Sequence, residues 1–311
     1  MNIDLHSALR WKNPPDSYFF TCILDEVISG YVESLTENEK KLLLENPNDF
    51  DSLVSGDWQE QLLLKLTTSP GCILIKSGES FSDETLRCIY ALYCRSIGLL
   101  NNRYGYFFDV VDQGLDYTKQ AIPVSKTRSS TGYHTDSTAK EYLPDIVGLL
   151  CLHPGAVGGD SLLTNAANLY DHLLQNHPDV LELMQKPIIR DVITPGTTNS
   201  VESIKENAFP IFSFPIEGFT FRYMRYWIES AYQKTGQTLP TKLIQGLEET
   251  DHYFSNPDNY LQFKLERGDI LFLNNRFICH NRTAFENNSS KTLQRTLVRT
   301  WINSEKSEVL K

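Results

Sequence analysis

A histidine and an aspartate stand one residue apart in the stretch "GYHTDST", where His134 and Asp136 have small and hydroxyl-bearing neighbours. Side chains at positions i and i+2 of a β-strand point to the same face, so an imidazole and a carboxylate at this spacing can converge on one point. Two ligands do not hold a metal ion firmly. A metal site would need a third ligand from elsewhere, and without one the pair would be two polar residues on the exposed side of a strand.

His280 is the histidine whose surroundings best fit a third ligand. It ends "GDILFLNNRFICH", where an apolar strand, a turn with two asparagines and a second strand would project the imidazole back into a sheet. The other histidines stand in the N-terminal segment, before Pro154, or on helical stretches that we expect to be exposed: His6, His153, His172, His177 and His252. Two imidazoles and one carboxylate, with three coordination positions open, are the ligand set of non-haem Fe(II) oxygenases. Long-range folding must bring His280 to the other two.

Two arginines stand four residues apart in "QRTLVRTWI", and strand alternation predicts that Arg295 and Arg299 face the same side. Two guanidiniums directed into one interior repel each other unless an anion lies there. A guanidinium is a planar, bidentate donor for a carboxylate and stays charged when it is buried. The pair therefore indicates a carboxylate-binding site, and the alternative is two surface arginines on an edge strand.

Four segments follow one another in a recognisable order: "GYHTDST", "GLLCLHPGAVGGDSLLTN", "GDILFLNNRFICHNRTAF" and "RTLVRTWI". Together they resemble the taurine dioxygenase and clavaminate synthase superfamily of Fe(II)/2-oxoglutarate-dependent oxygenases. The resemblance spans residues 125–301. It implies a mainly β fold with flanking helices, the double-stranded β-helix or jelly roll. It also implies Fe(II), 2-oxoglutarate as cosubstrate, and O₂.

The resemblance implies three iron ligands, which are His134, Asp136 and His280. Arg295 matches the arginine that pairs with the distal carboxylate of 2-oxoglutarate. Ser161, in "GGDS", takes the place of a threonine that supports this carboxylate in relatives, and Thr164 is an alternative hydroxyl donor. A buried anion of this kind needs a paired cation and hydrogen bonds, which these residues would supply.

Substrate contacts are expected from three further residues. Arg299 matches a second family arginine near the cosubstrate or the substrate anion. Arg222 and Tyr223, in "FTFRYMRYWI", lie on a predicted strand at a position that resembles one bordering the substrate. Alternation puts these two side chains on opposite faces, so a regular strand cannot present both to one pocket. The alternative is a strand with solvent-facing arginines and core aromatics. If Arg222 does reach the pocket, it favours a substrate carboxylate, as in an amino acid or a similar small polar molecule.

The reaction implied is hydroxylation of an unactivated C–H bond, coupled to conversion of 2-oxoglutarate to succinate and CO₂. Asp136 favours this outcome, because related halogenases carry a small residue at its position. Desaturation, epoxidation or cyclisation in natural-product biosynthesis would use the same ligands. A zinc hydrolase can also bind its metal through histidine and aspartate, but it would leave Arg295 and Ser161 without a role. The third class is a non-catalytic jelly-roll binding protein.

The elements that must position these residues fall into two parts of one predicted domain, residues 1–311. The first hundred residues are predicted to be helix-rich, with a capping box of Ser34 and Glu37 and a second cap at Ser82. "GCILIKSG" reads as a buried strand between them. Short apolar runs over residues 105–303 predict a sandwich or a jelly roll, of which the resemblance implies the jelly roll, with two helical inserts, one capped by Asn165 and one over residues 239–254. Residues 112–132 are polar and indicate either a lid or an exposed connection.

Composition sets the broad limits. The chain has 311 residues, 41% of them hydrophobic, and a formal net charge of −10, which argues against a nucleic-acid partner and for a small-molecule substrate. No apolar run approaches the roughly 20 residues of a membrane span, and the start lacks the pattern of a secretory signal. The six cysteines include no CxxC pair and read as buried thiols in a reducing compartment. We therefore expect a cytoplasmic protein without membrane contact, whose oligomeric state the sequence does not fix.

Overall fold

The computed structural model describes residues 7–15, 22–23, 26–53, 57–76, 80–114, 127–137, 143–191, 199–215, 218–287 and 294–303. In these ranges the α-helices are α1 (Glu26–Ser34), α2 (Glu37–Glu45), α3 (Asp57–Thr67), α4 (Asp83–Ile97), α5 (Ala166–Asn176), α6 (Pro178–Met184), α7 (Val201–Glu206), α8 (Arg225–Thr235) and α9 (Thr241–Ser255). The strands are β1 (Cys22–Ile23), β2 (Cys72–Lys76), β3 (Leu99–Leu100), β4 (Phe108–Val111), β5 (Ile146–His153), β6 (Val157–Gly158), β7 (Ser161–Asn165), β8 (Ile188–Ile189), β9 (Ala208–Phe209), β10 (Phe212–Ser213), β11 (Thr220–Phe221), β12 (Tyr260–Phe263), β13 (Ile270–Asn274), β14 (Ile278–Arg282), β15 (Phe285–Glu286) and β16 (Thr296–Asn303).

The larger sheet has the strand order β1-β2-β13-β5-β16-β3, and β4 also pairs with β16. The β1–β2 pair is parallel, and the other pairs are antiparallel. A smaller antiparallel sheet has the order β12-β7-β14. Neighbours in both sheets are distant in sequence, and this places segments from the two ends of the chain side by side.

An inner core fills the space between the two sheets. Leu163 and Ile278 of the smaller sheet share it with Val147, Leu271 and Leu297 of the larger one. Strand alternation turns every second residue of the larger sheet toward this core. Arg299 and Trp301 lie on the same side of β16 as Leu297, so the C-terminal strand directs polar groups into the sandwich.

An outer core covers the other face of the larger sheet. The intervening residues of its strands, such as Ile270, Phe272 and Val298, pack there against the N-terminal helices. Helix α4 is the centre of this layer, and its predicted stripe is confirmed as buried: Leu86, Ile89, Tyr90 and Tyr93. Ser82 caps α4 as predicted, because its side chain accepts a hydrogen bond from the amide of Thr85. The N-terminal helices thus back the sheet that carries the site.

One local prediction in the helical regions was wrong. The capping box of α2 is formed by Thr36 and Glu39, whereas Ser34 is the last residue of α1. Ser34 and Thr36 in "SLTENE" each have a glutamate three positions later, so the sequence pattern fits both as the cap. Because α1 extends to Ser34, only Thr36 is free to cap α2. The predicted cap at Asn165 and the helix over residues 239–254 are confirmed as the start of α5 and as α9.

The segment "FTFRYMRYWI" is also different from the prediction. Only Thr220–Phe221 forms a strand, and α8 begins at Arg225. Met224 forms an isolated bridge with His134, after which the chain turns into a helix that ends at Gly236 in the left-handed region. Aromatic residues favour strands locally, but packing of the buried Ile228 and Ala231 decides the helix here.

Five cysteines are buried and have free thiols, as predicted: Cys72, Cys88, Cys94, Cys151 and Cys279. The side chain of Cys22 lies outside the described residues. None of the helices in the described ranges combines the length and the apolar composition that crossing a bilayer requires.

Candidate metal centre

The structure brings His134, Asp136 and His280 together. The Nε2 atom of each imidazole lies 3.6 Å from Oδ1 of Asp136, and the ring centroids of the two histidines are 4.2 Å apart. A separation of 3.6 Å is too long for a hydrogen bond. The three donor atoms therefore surround a common gap without bonding to one another.

Main-chain hydrogen bonds set this arrangement. The amide of His134 donates to the carbonyl of His280 at 3.0 Å, and the amide of His280 donates back to His134 at 3.0 Å. His280 lies within β14, and His134 pairs with it as an isolated bridge rather than as part of a predicted strand. Between the two N-terminal ligands, the amide of Thr135 donates to the carbonyl of Tyr223 and its hydroxyl accepts from the Tyr223 amide.

The turn that carries Asp136 is fixed by Asn275. The side chain of Asn275 accepts a hydrogen bond from the Asp136 amide at 2.7 Å and donates to the Asp136 carbonyl at 3.0 Å. Asn275 is fully buried and comes directly after β13. The two-asparagine turn noted in the sequence thus orients the carboxylate ligand as well as leading to His280.

The two carboxylate oxygens of Asp136 have different partners. Oδ1 faces the imidazoles, whereas Oδ2 accepts a 2.6 Å hydrogen bond from the indole Nε1 of Trp301 and lies 3.2 Å from Nη1 of Arg299. Burial alone would raise the pKa of Asp136, but Arg299, the two histidines and Trp301 outweigh it and lower the pKa to about 2. The carboxylate is therefore charged and has one oxygen left for a metal ion.

The imidazoles are held in the form that binds metals. Burial lowers the pKa of both rings, and for His280 the neighbouring His134 adds to this, giving about 3. Nδ1 of His134 donates to the carbonyl of Gly132 at 2.9 Å, which leaves the lone pair on Nε2. Nδ1 of His280 is buried and has no hydrogen-bond partner among the described residues. The two Nε2 atoms and Oδ1 of Asp136 form a donor set that fits a divalent iron ion.

A cluster of cationic side chains lies around Phe285. The guanidinium carbons of Arg282 and Arg295 lie 4.8 and 5.0 Å from the centre of this ring, and both side chains are buried. Burial lowers the pKa of Arg295 to about 10 and that of Arg282, with a further effect of Arg295, to about 9. Both remain charged at neutral pH. Two buried like charges beside one ring favour an anion as their ligand.

The two hydroxyl residues proposed for the cosubstrate lie on opposite faces of β7. Ser161 pairs with Arg282, and Leu163 pairs with His280, so Ser161 shares the face of the distal histidine. Thr164 pairs with Cys279 on the other face, and its hydroxyl donates to the carbonyl of Asn259 at 2.8 Å. The geometry favours Ser161 over Thr164 as a group near the metal ligands.

The three predicted substrate residues are not brought together. Arg299 lies beside Asp136 and lines a recess with Asn101, Tyr104, Gly105, Phe108 and Trp301. The guanidinium of Arg222 stacks on Phe209, with 3.9 Å to the ring centre. Tyr223 is fully buried, and its hydroxyl donates to Asp251 at 3.2 Å.

Sequence reasoning did not single out Trp301, Asn275 or Arg282. Trp301 stands two residues after Arg299 in β16, and Arg282 stands two residues after His280 in β14. Sequence reasoning had singled out Arg299 and His280. The alternation that grouped Arg295 with Arg299 would have found Trp301 and Arg282. Asn275 carries no such signal, because its role depends on a turn geometry that the sequence alone does not give.

Residues 44–301 match the family described as taurine catabolism dioxygenase TauD, TfdA family, and the chain belongs to this family. The resemblance seen in the sequence motifs is thereby confirmed. The chain is 29% identical over 183 residues to FR-33289 synthase of Streptomyces rubellomurinus, covering 58% of this chain and 51% of that protein. It is 27% identical over 187 residues to the taurine hydroxylase-like protein SAT17 of Stachybotrys chartarum, covering 56% and 46%. The matched region is thus about half the length of these relatives.

Solved structures confirm the jelly-roll fold. An asparagine oxygenase in complex with Fe(II), 2S,3S-3-hydroxyasparagine and succinate superposes with a TM-score of 0.61 at 16% identity, over 91% of this chain and 93% of that one. The non-haem iron oxygenase OrfP in complex with Fe and alpha-ketoglutaric acid gives a TM-score of 0.65 at 11% identity, over 94% and 97%. At these identities the likeness shows the fold.

Proposed function

We propose that this protein is an Fe(II)/2-oxoglutarate-dependent dioxygenase that hydroxylates an unactivated C–H bond of an amino acid or a similar small polar carboxylate. The observation that carries the proposal is the common gap between Nε2 of His134, Nε2 of His280 and Oδ1 of Asp136. Family membership supports the same activity.

In this proposal His134, Asp136 and His280 hold the iron, and Arg295 pairs with the distal carboxylate of 2-oxoglutarate. Bound iron, 2-oxoglutarate and O₂ together supply the oxidising chemistry, with succinate and CO₂ as coproducts. The protein orients the reactants. Trp301 keeps Oδ2 of Asp136 occupied, so that the carboxylate presents a single oxygen to the metal. Ser161 adds a hydroxyl on the face that carries His280 and Arg282.

The substrate class rests on Arg299. Nη1 of Arg299 lies 3.2 Å from Oδ2 of Asp136, and the guanidinium, which has five N–H donors, lines the recess formed with Tyr104, Phe108 and Trp301. A substrate carboxylate would meet the remaining donors close to the metal ligands. Two solved relatives of the fold hold hydroxylated amino acids, hydroxyasparagine in asparagine oxygenase and (3S)-hydroxy-L-Arg in OrfP. Their ligands support an amino acid here.

The name FR-33289 synthase supports a second candidate, oxidation of a biosynthetic intermediate by desaturation, epoxidation or cyclisation at the same centre. Presence of Asp136 as a metal ligand is compatible with each of these outcomes. Product analysis separates them, because hydroxylation adds one oxygen atom and desaturation removes two hydrogens.

We also propose that residues 1–311 form a single oxygenase domain that works in the cytoplasm. The helices of the N-terminal part and the strands of the jelly roll share the outer core, which supports one domain. The five buried free thiols fit a reducing compartment.

The activity is tested by mixing the protein anaerobically with Fe(II) and 2-oxoglutarate, which should give a weak visible charge-transfer band. Addition of air with a panel of amino acids should then release succinate, and the true substrate should stimulate this release. A zinc hydrolase or a binding protein would show neither signal.

The roles assigned to the metal ligands and to Arg295 predict different effects of substitution, on iron retention and on 2-oxoglutarate binding respectively. His134→Ala and Asp136→Ala should abolish iron retention, whereas Arg295→Ala should raise the 2-oxoglutarate concentration needed while iron stays bound. Arg267→Ala serves as a matched control, because Arg267 binds main-chain carbonyls of Leu152 and Phe81. Equal iron occupancy in the His134, Asp136 and Arg295 variants would contradict the assigned roles.

A further inference from the structure

A second group of metal-binding residue types lies where three helical segments meet. His172 is on α5, His177 forms the corner between α5 and α6, and Glu249 is on α9. One ligand atom from each lies within 4.8 Å of the other two. We propose that these three residues bind a divalent transition metal ion of the zinc type, independently of the iron centre.

The corner at His177 is rigid. Its amide donates to the carbonyl of Leu173 at the end of α5, and its own carbonyl accepts from the amides of Val180 and Leu181 in the first turn of α6. Pro178 follows directly and starts α6. These main-chain bonds set the position of the His177 backbone relative to α5, and therefore relative to His172.

Close packing of α9 against α6 brings Glu249 to the same corner. A side chain at Gly246 would lie 2.8 Å from Cγ1 of Val180, so the absence of a Cβ lets the two helices approach. One turn earlier on α9, Lys242 forms a 2.8 Å ion pair with Asp179. Glu249 lies about one turn after Gly246, so the close contact between α9 and α6 places it near His177.

One ligand separation equals those in the proposed iron centre, although the two imidazole centroids are 6.3 Å apart here and 4.2 Å apart there. Nε2 of His177 and Oε2 of Glu249 are 3.6 Å apart, which equals both histidine–aspartate separations around Asp136. At this distance the imidazole and the carboxylate are not hydrogen-bonded, and an ion between them would satisfy both. Both side chains are partly accessible, at 28% and 29%, so water can complete the coordination.

The charge state also suits a metal. Burial and the nearby His177 lower the pKa of His172, although Glu249 opposes them. A neutral imidazole is the form that binds metals. The sequence had led us to expect exposed histidines here, but His172 and His177 are half-buried.

The ligand set selects the ion. Two nitrogen donors and one carboxylate suit zinc and its neighbours, whereas magnesium and calcium prefer oxygen ligands only. Zn(II) also binds such sites more tightly than Fe(II) does. An ion at this point would join the α5–α6 corner to α9 and so stabilise three helices whose buried residues belong to the inner core.

Zinc binding to the metal-free full-length protein tests the proposal. The wild type should bind two zinc ions, one at each cluster. A variant with His134→Ala and His280→Ala should keep one zinc ion and should still gain thermal stability when zinc is added. In this background Glu249→Gln should weaken zinc binding by more than about tenfold, because even the loss of an outer partner of a metal ligand costs about 10–100-fold.

Glu248→Gln is the matched control, since it is the same change at the exposed neighbouring position. It should leave zinc affinity unchanged. Glu249→Gln in the wild-type background provides a second measurement, with an expected fall from two zinc ions to one. The proposal is overturned if the two glutamine variants bind zinc equally, or if the variant without the iron-centre histidines binds none.

Discussion

At the scale of single residues, Asp136 shows how one side chain can serve two purposes. Its Oδ1 faces the two imidazoles, while its Oδ2 is held by Trp301 and Arg299. Partners behind a metal ligand fix its orientation and its charge. The metal affinity of the proposed centre should therefore depend on residues that do not touch the metal.

Trp301→Phe tests this dependence. The change keeps an aromatic ring but removes the 2.6 Å hydrogen bond to Asp136. We expect the affinity for Fe(II) to fall by about 10-fold or more, as for other partners of metal ligands. Titration of the metal-free protein with Fe(II) measures the effect. Trp58→Phe is the control, because Trp58 packs against Tyr93 in the helical layer; equal affinities in the two variants would contradict the role of Trp301.

Ser161 and Thr164 allow a paired comparison on one strand. We expect Ser161→Ala to raise the 2-oxoglutarate concentration needed for half-maximal succinate release, because Ser161 lies on the face of His280. Thr164→Val should leave this concentration unchanged and lower the free energy of unfolding by about 0.5–1.5 kcal/mol, since the partly buried hydrogen bond to the carbonyl of Asn259 is lost. The reverse pattern would assign the cosubstrate to Thr164.

At the scale of elements, the segment before His134 runs alongside β14. Thr131 exchanges hydrogen bonds with Arg282, and the Arg282 guanidinium donates to the carbonyls of Thr127 and Ser129. These residues are the end of the segment that the sequence marked as a lid or an exposed connection. Its middle, residues 115–126, lies outside the described residues, so the lid stays a prediction.

Arg282→Gln should loosen this segment. We expect faster hydrogen exchange over residues 127–134, because two main-chain carbonyls lose their charged donor. The control is Arg267→Gln, which removes a guanidinium from the carbonyls of Leu152 and Phe81 in another part of the fold. Unchanged exchange in the Arg282 variant would show that main-chain bonds alone hold the segment.

Much of the element layout could be predicted from periodicity and caps. The buried strand at Cys72–Lys76 and the helices that begin after Ser82 and Asn165 follow from local signals. The start of α8 could not be predicted, because "FRYMRYW" has the composition of a strand and tertiary packing decides otherwise. The candidate metal ligands were recognisable by type and order, but their convergence depends on pairing between β14 and the distant segment around His134.

At the scale of the whole molecule, one sheet separates two cores with different tasks. Its inner face meets the smaller sheet and carries Arg299 and Trp301 toward the site. Its outer face packs on α4 and the other N-terminal helices. Damage to the outer core should therefore change stability more than it changes the metal centre.

Gly148→Ala tests this separation. A methyl group at Gly148 would lie 2.5 Å from the hydroxyl of Tyr90 and 2.9 Å from the ring of Phe272. We expect a loss of about 1–3 kcal/mol in the free energy of unfolding from overpacking, with Fe(II) affinity unchanged. Gly30→Ala, in α1 with open space around it, should instead stabilise by roughly 0.5–1 kcal/mol. A tenfold drop in Fe(II) affinity in the Gly148 variant would show that the two cores are coupled.

The reciprocal amide bonds between His134 and His280 have a consequence for divergence within the family. The two candidate nitrogen ligands are spaced by peptide groups, which every substitution except one to proline leaves in place. The separation of the two imidazoles should therefore tolerate changes in most neighbouring side chains, whereas the carboxylate of Asp136 depends on the side chains of Asn275 and Trp301.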